Sequence, residues 1–180
     1  MKKTIKDIDV RGRKVIVRCD FNVPQNESGD ITDDSRIIAS LPTIKYLLEE
    51  GAAIVLMSHL GRPKGEADVK FSLKPVAERL SNILERKIQF INTSDVVNAG
   101  VIEVATGLKA GDIMLLENVR FRREETENQP AFSKELAQLA DIFVNDAFGS
   151  AHRAHCSTTG IAEYMTAVSG FLMEKELEFL

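Results

Sequence analysis

The feature that most constrains this chain is a set of short, unbroken apolar runs separated by longer amphipathic stretches. IVLM (54–57), IMLL (113–116) and IFV (142–144) contain no polar residue at alternate positions. A strand that is apolar on both faces must be covered on both faces, as parallel strands are between two layers of helices. Strands are expected over Lys14–Arg18, Ala53–Ser58, Lys87–Ile91, Asp112–Glu117, Asp141–Asn145 and Val168–Leu172.

Helical patterns fill the gaps. Asp33-Asp34-Ser35 offers capping oxygens to a pattern that runs to Glu50, with Gly51 as its stop. Pro42 lies inside that pattern and has no amide hydrogen. A short turn near Arg36, then a main helix from about Pro42, is therefore expected. Ser72 is placed to cap LKPVAERLSNILER, whose Val76, Leu80, Ile83 and Leu84 form an apolar stripe. Ser94, Pro130 and Ser157 stand near the starts of three weaker segments. Strands alternating with helices specify an α/β domain: a three-layer, doubly wound, Rossmann-like fold around a mostly parallel sheet of about six strands.

Composition narrows the class of partner. At 180 residues, 44% apolar and 28% charged, the chain has the size and make-up of one globular core. A net charge of -4 lacks the basic excess typical of nucleic-acid binding. No apolar run approaches the ~18 residues of a membrane span, and MKKTIKDIDV has no apolar stretch of the secretory kind. Cys19 and Cys156 are too few and too far apart for a disulfide framework. A reduced, cytoplasmic setting is expected, with neither nucleic acid nor membrane as partner.

In doubly wound sheets, ligands bind beyond the carboxyl ends of the strands. Asp20-Phe21-Asn22 follows the first strand, and Ser58-His59-Leu60-Gly61-Arg62-Pro63 the second. Glu117-Asn118-Val119-Arg120-Phe121 follows the fourth, and Asn145 to Arg153 the fifth. Three strand ends thus deliver an arginine, and Asp34-Ser35-Arg36 brings a fourth to the same rim. The planar guanidinium suits bidentate bonds to phosphate and carboxylate, so converging arginines read as a polyanion site. For any one arginine, pairing with a surface carboxylate is the competing reading; four at one edge favour binding. Lys64, Arg122 and Arg123 are read as solvated charges.

Other chemistries lack their motifs. No G-x-x-x-x-G-K-[ST], no G-x-G-x-x-G after the first strand and no G-x-S-x-G elbow occur. His152, His155 and Cys156 do not follow a zinc-ligand spacing, so no metal is assigned. Cys19 reads as a buried, inert thiol.

The segment RCDFNVP (18–24) resembles a signature near the amino terminus of phosphoglycerate kinases. ITDDSRI (31–37), LPTIKYL (41–47), SHLGRPKG (58–65), LLENVRF (115–121) and VNDAFGSAHRAH (144–155) resemble the same family and follow its order. The resemblance implies reversible phosphoryl transfer between 1,3-bisphosphoglycerate and ADP, giving 3-phosphoglycerate and ATP. It implies two lobes, the first holding the glycerate and the second Mg-ATP or Mg-ADP. Carried over, Asp20 and Asn22 hold the hydroxyl and carboxylate region, and His59, Arg62, Arg120 and Arg153 the non-transferring phosphate. Backbone of Phe21, Leu60 and Gly61 lines the pocket, and Arg36 is the catalytic residue facing the transferring group. Residues 1–170 would form the substrate-binding domain and 171–180 the start of the inter-domain helix, with the nucleotide domain and its cofactor outside this chain. On this reading the full enzyme is a monomer and the chain alone is inactive. Two alternatives differ in class: a non-catalytic phosphoglycerate-binding module and, more remotely, a dinucleotide-dependent oxidoreductase.

Overall fold

Each apolar run becomes a strand, and all the strands point the same way. A computed structural model describes residues 3–147 and 153–178. It contains β1 (Lys14–Arg18), β2 (Ala53–Met57), β3 (Gln89–Ile91), β4 (Ile113–Leu116), β5 (Ile142–Asn145) and β6 (Thr166–Ser169). They form one sheet in the order β3-β4-β2-β1-β5-β6, with every pairing parallel. The helices are α1 (Ser35–Glu49), α2 (Lys74–Leu84), α3 (Ala99–Thr106), the single turn α4 (Arg123–Thr126), α5 (Pro130–Ala137) and α6 (Phe171–Glu178).

Period-two alternation sends successive strand residues into two separate cores. Val15, Val17, Ile54, Leu56, Ile113, Leu115, Ile142 and Val144 pack on one face with Ile37, Ile44 and Leu47 of α1 and Val76 and Leu80 of α2. Ile16, Val55, Met57, Met114, Leu116 and Phe143 pack on the other with Val101 of α3 and Phe132 and Leu136 of α5. The sheet is therefore the middle of three layers. No helix among the described residues is long and apolar enough to cross a membrane.

Four local expectations are corrected. Pro42 does not divide α1, which runs unbroken from Ser35. The proline is on the exposed face, and so is Ile38, whose carbonyl loses its intrahelical partner to the missing amide hydrogen. Burying Ile37, Ile44 and Leu47, at about 1.5–3 kcal/mol each, outweighs a proline penalty of about 3 kcal/mol. Arg36 therefore sits in the first turn of a continuous helix. Ser72 lies one residue before the N-cap position, which Leu73 occupies; its Oγ accepts from the Lys74 amide at 3.2 Å. The segment near Ser94 starts only at Ala99, where Asn98 supplies the capping oxygen to the Val101 amide. Ser157 opens no α-helix, only a path to the 3-10 turn Gly160–Glu163, because its amide and hydroxyl are committed to Glu125.

The last strand ends three residues earlier than its pattern suggests, since Gly170 leaves the sheet and Phe171 and Leu172 enter α6. Asp146, just after β5, accepts from the Leu172 and Met173 amides through Oδ1, at 2.9 and 3.3 Å. Thr43 Oγ1 of α1 accepts from the Phe171 amide at 3.0 Å, and the Tyr46 and Phe171 rings meet edge to face. Gly170 is required here: a Cβ would overlap the Asp146 carboxylate. Burial nevertheless raises that carboxyl to about 6.

Candidate functional site

Parallel strands discharge their loops at one rim, so polar residues far apart in sequence meet there. A cleft of about 300 Å³ opens at this rim, lined by Asp20, Asn22, Arg36, His59, Gly61, Arg62, Arg120 and Arg153. The chain after β1 supplies Asp20 and Asn22, that after β2 supplies His59, Gly61 and Arg62, and that after β4 supplies Arg120. Arg153 follows β5, and Arg36 reaches in from α1. Phe21 and Leu60 are not in the lining. The Phe21 amide is taken by Ser58 Oγ at 2.9 Å, and the Leu60 carbonyl accepts from Asn118 Nδ2 at 2.7 Å.

Short polar bonds fix the walls. Arg36 Nη1 donates to Asp20 Oδ1 at 3.2 Å and to the Asn22 carbonyl at 2.8 Å, yet half of its side chain stays exposed. Asn22 Oδ1 accepts from the Gly61 amide at 2.9 Å, tying the first loop to the second. Gly61 has φ +63 and faces the Phe71 ring, which a Cβ would overlap. Only glycine meets both demands without cost. Asn118 Nδ2 also donates to the Phe71 carbonyl at 2.9 Å, and its Oδ1 accepts from the Arg120 amide at 3.0 Å. Glu117 fastens the same loop to α2 by accepting from Ser72 Oγ and the Leu73 amide.

Beneath the cleft lies an arginine that sequence reasoning left without a role. Arg18, the last residue of β1, has no exposed surface. Its Nε donates to Ser157 Oγ at 2.8 Å, its Nη1 to the Cys19 carbonyl, and its Nη2 lies 2.8 Å from His59 Nδ1. Ser157 Oγ in turn donates to Glu125 Oε2 at 2.5 Å, and the Ser157 amide to Oε1 at 2.9 Å. Burial pushes the Glu125 carboxyl up, and Arg18 pulls it back down. A buried guanidinium and a buried carboxylate are thus joined through one hydroxyl. The signal available in sequence was a lone arginine closing an apolar run, which demands an internal partner. Nothing in sequence says that the partner lies at 125 and 157.

Burial keeps His59 and His155 neutral as well. Burial, then the charges of Arg18 and Arg120, lowers His59 to about 2. Burial, then Arg120, lowers His155 to about 4. Arg120 itself is lowered by burial, then by Arg18, with Arg153 and Arg62 adding to the repulsion. Among the described residues, the lining holds four arginines against one aspartate. Such an excess of fixed cations in a concave site attracts a small polyanion.

Arg122 behaves differently from its expected role as a solvated charge. Its side chain is only 17% exposed, with Nη2 bonded to Glu124 at 2.6 Å and Glu135 at 2.8 Å, and its guanidinium over the Phe132 ring. Two carboxylates within reach on α4 and α5 draw it in. Cys19 is buried, and burial followed by Asp146 holds its thiol well above the usual range. His152 and residues 179–180 of the expected inter-domain helix lie outside the described residues.

A phosphoglycerate kinase family model matches residues 5–180. Among curated relatives, the phosphoglycerate kinases of Clostridium botulinum (strain Hall) and Clostridium tetani are each 57% identical over 180 residues. The match takes in 99% of this chain and 45% of either relative, so the chain spans less than half their length. Among solved structures, phosphoglycerate kinase from Coxiella burnetii matches with a TM-score of 0.86 at 39% identity, over 99% of this chain and 44% of that one. The enzyme from Pyrococcus horikoshii gives 0.88 at 35% identity, over 98% and 44%. With the whole described fold and nearly the whole sequence shared, the chain belongs to the phosphoglycerate kinase family.

Proposed function

We propose that this chain is the lobe that binds 3-phosphoglycerate and 1,3-bisphosphoglycerate in a monomeric, cytoplasmic kinase of glycolysis. The observation that carries this reading is the convergence of Arg36, Arg62, Arg120 and Arg153 on one cleft, with Asp20 as the sole opposing charge among the described lining residues. A substrate with a phosphate at one end and a carboxylate or acyl phosphate at the other supplies the missing negative charge at both ends.

In this proposal Arg62, Arg120 and Arg153, with His59, hold the non-transferring phosphate. Asp20 and Asn22 hold the hydroxyl and carboxylate region. Arg36 is the catalytic residue: half-exposed at the open side, it stabilises charge on the equatorial oxygens of the transferring group. Its present bonds to Asp20 and the Asn22 carbonyl keep it over the cleft rather than free in solvent. Mg-ATP or Mg-ADP is assigned to a second lobe, corresponding to the part of the relatives that this chain does not match. Phosphoryl transfer depends chiefly on positioning and charge stabilisation, so a lobe that does not orient the nucleotide should not turn over. Residues 171–178 are proposed to begin the connection between lobes.

The test is a calorimetric titration of the 180-residue chain with 3-phosphoglycerate and, separately, with ATP. Saturable glycerate binding without ATP binding supports the reading. A folded chain that binds ATP and not the glycerate would sink it.

A further inference from the structure

The contact between Arg18 and His59 decides the chemistry of the imidazole. A guanidinium has only donors, so a ring nitrogen 2.8 Å from Arg18 Nη2 must accept. His59 Nδ1 therefore carries no proton, and the neutral ring carries its proton on Nε2. His59 lines the cleft, while Arg18 lies buried behind it with no exposed surface. Arg18 is itself held through Nε by Ser157 Oγ, and Ser157 by Glu125, which has no exposed surface either. Ser58 Oγ, 3.4 Å from Arg18 Nη1, accepts there and bonds the Phe21 amide at 2.9 Å. The guanidinium thus spans from the Glu125 anchor to the imidazole through a string of directional bonds.

We infer that Glu125, Ser157 and Arg18 form a positioning relay that fixes His59 as an Nε2–H donor toward the anion cleft. The relay lets a histidine among arginines serve as a directed hydrogen-bond donor without adding a further charge to a crowded cationic site. Glu125 is the counter-charge that makes a buried Arg18 tolerable, since an uncompensated ion there would be strongly destabilising. None of the three need touch the ligand; they act through His59. The relay rests on the reading of the cleft as a phosphoglycerate site, but the tautomer does not.

Nitrogen-15 NMR of the histidine rings, recorded on the ligand-free 180-residue chain at pH 7, tests the tautomer directly. The expected His59 signature is an unprotonated, hydrogen-bonded Nδ1 and a protonated Nε2. A protonated Nδ1 in the wild-type chain overturns the inference, whatever the glycerate titration shows. Arg18→Met alone strands a buried carboxylate, so the informative variant is Arg18→Met with Glu125→Gln, which leaves the core neutral. In it, His59 should show mixed tautomers and 3-phosphoglycerate should bind about 10-fold more weakly, the worth of one such hydrogen bond. A folded double variant with the wild-type tautomer and wild-type affinity would overturn the relay. A wild-type chain with the expected tautomer and no glycerate affinity would instead discard the substrate reading and leave the Nε2–H assignment standing.

Discussion

Arg62 and Arg122 belong to two clusters built on opposite terms. Around Arg122, two carboxylates and an aromatic face answer a single cation. In the cleft, four arginines share one aspartate, and Arg120 is held down by burial and by its like-charged neighbours. A guanidinium answered within its own fold has a structural task, whereas, on the proposed function, a group left short of negative charge is prepared for a ligand. Charge alone does not separate the two; the local balance of partners does.

Exchanging the two arginines for alanine should separate these tasks. Arg62→Ala should weaken 3-phosphoglycerate binding about 10–150-fold, the loss of one charge-assisted bond, with thermal stability within about 0.5 kcal/mol of wild type. Arg122→Ala should do the reverse: unchanged affinity in calorimetry and a loss of about 1–2 kcal/mol in denaturant unfolding. If both variants lose affinity equally, the contrast between the clusters fails.

A second contrast sharpens it on the pH axis. Asp146 is held at about 6 against an ordinary 3.8, so the unfolded chain gives up this proton first. Its contribution makes stability fall as pH rises from about 4 to about 6, by up to ~3 kcal/mol, and then level off. His59 and His155 work in the opposite sense: both are lowered, so stability is lost as pH falls below about 6.5, where the unfolded state takes up protons first. Asp146→Asn keeps an oxygen for the α6 amides and removes only the first trend. Subtracting the two stability profiles between pH 4 and 7 should therefore recover a falling curve; a flat difference would dispose of the buried, protonated carboxyl. The smallest effect belongs to a partly exposed pair, Arg79 and Asp34, 2.8 Å apart. Arg79→Ala should cost less than about 1 kcal/mol and nothing in affinity.

The layered fold and most of the cleft are legible in the sequence. Strands apolar on both sides imply coverage on both sides, and parallel strands force their loops to one rim, which is why Asp20, His59, Arg62 and Arg120 were found together. What stayed hidden depends on distance in sequence rather than on pattern. Ser157 anchors Arg18 across 139 positions of the sequence, and Glu125 holds Ser157 across 32. Proline at 42 misled for the opposite reason: the local rule holds, but long-range burial of the other helix face overrides it. Arg122 reads as a solvated charge in sequence although Glu124 is only two residues on: it stands at the N-cap of α4, where its side chain reaches both Glu124 and Glu135 of α5.

The distance between Arg18 and its anchors also has a temporal side. During synthesis, β1 and β2 emerge and can pair long before Glu125 and Ser157 leave the ribosome. Until they do, a nascent domain that closes around β1 would trap a cation without its counterpart, which disfavours early closure. The centre of the sheet is electrically complete only when a hydroxyl and a carboxylate from far along the chain have joined it.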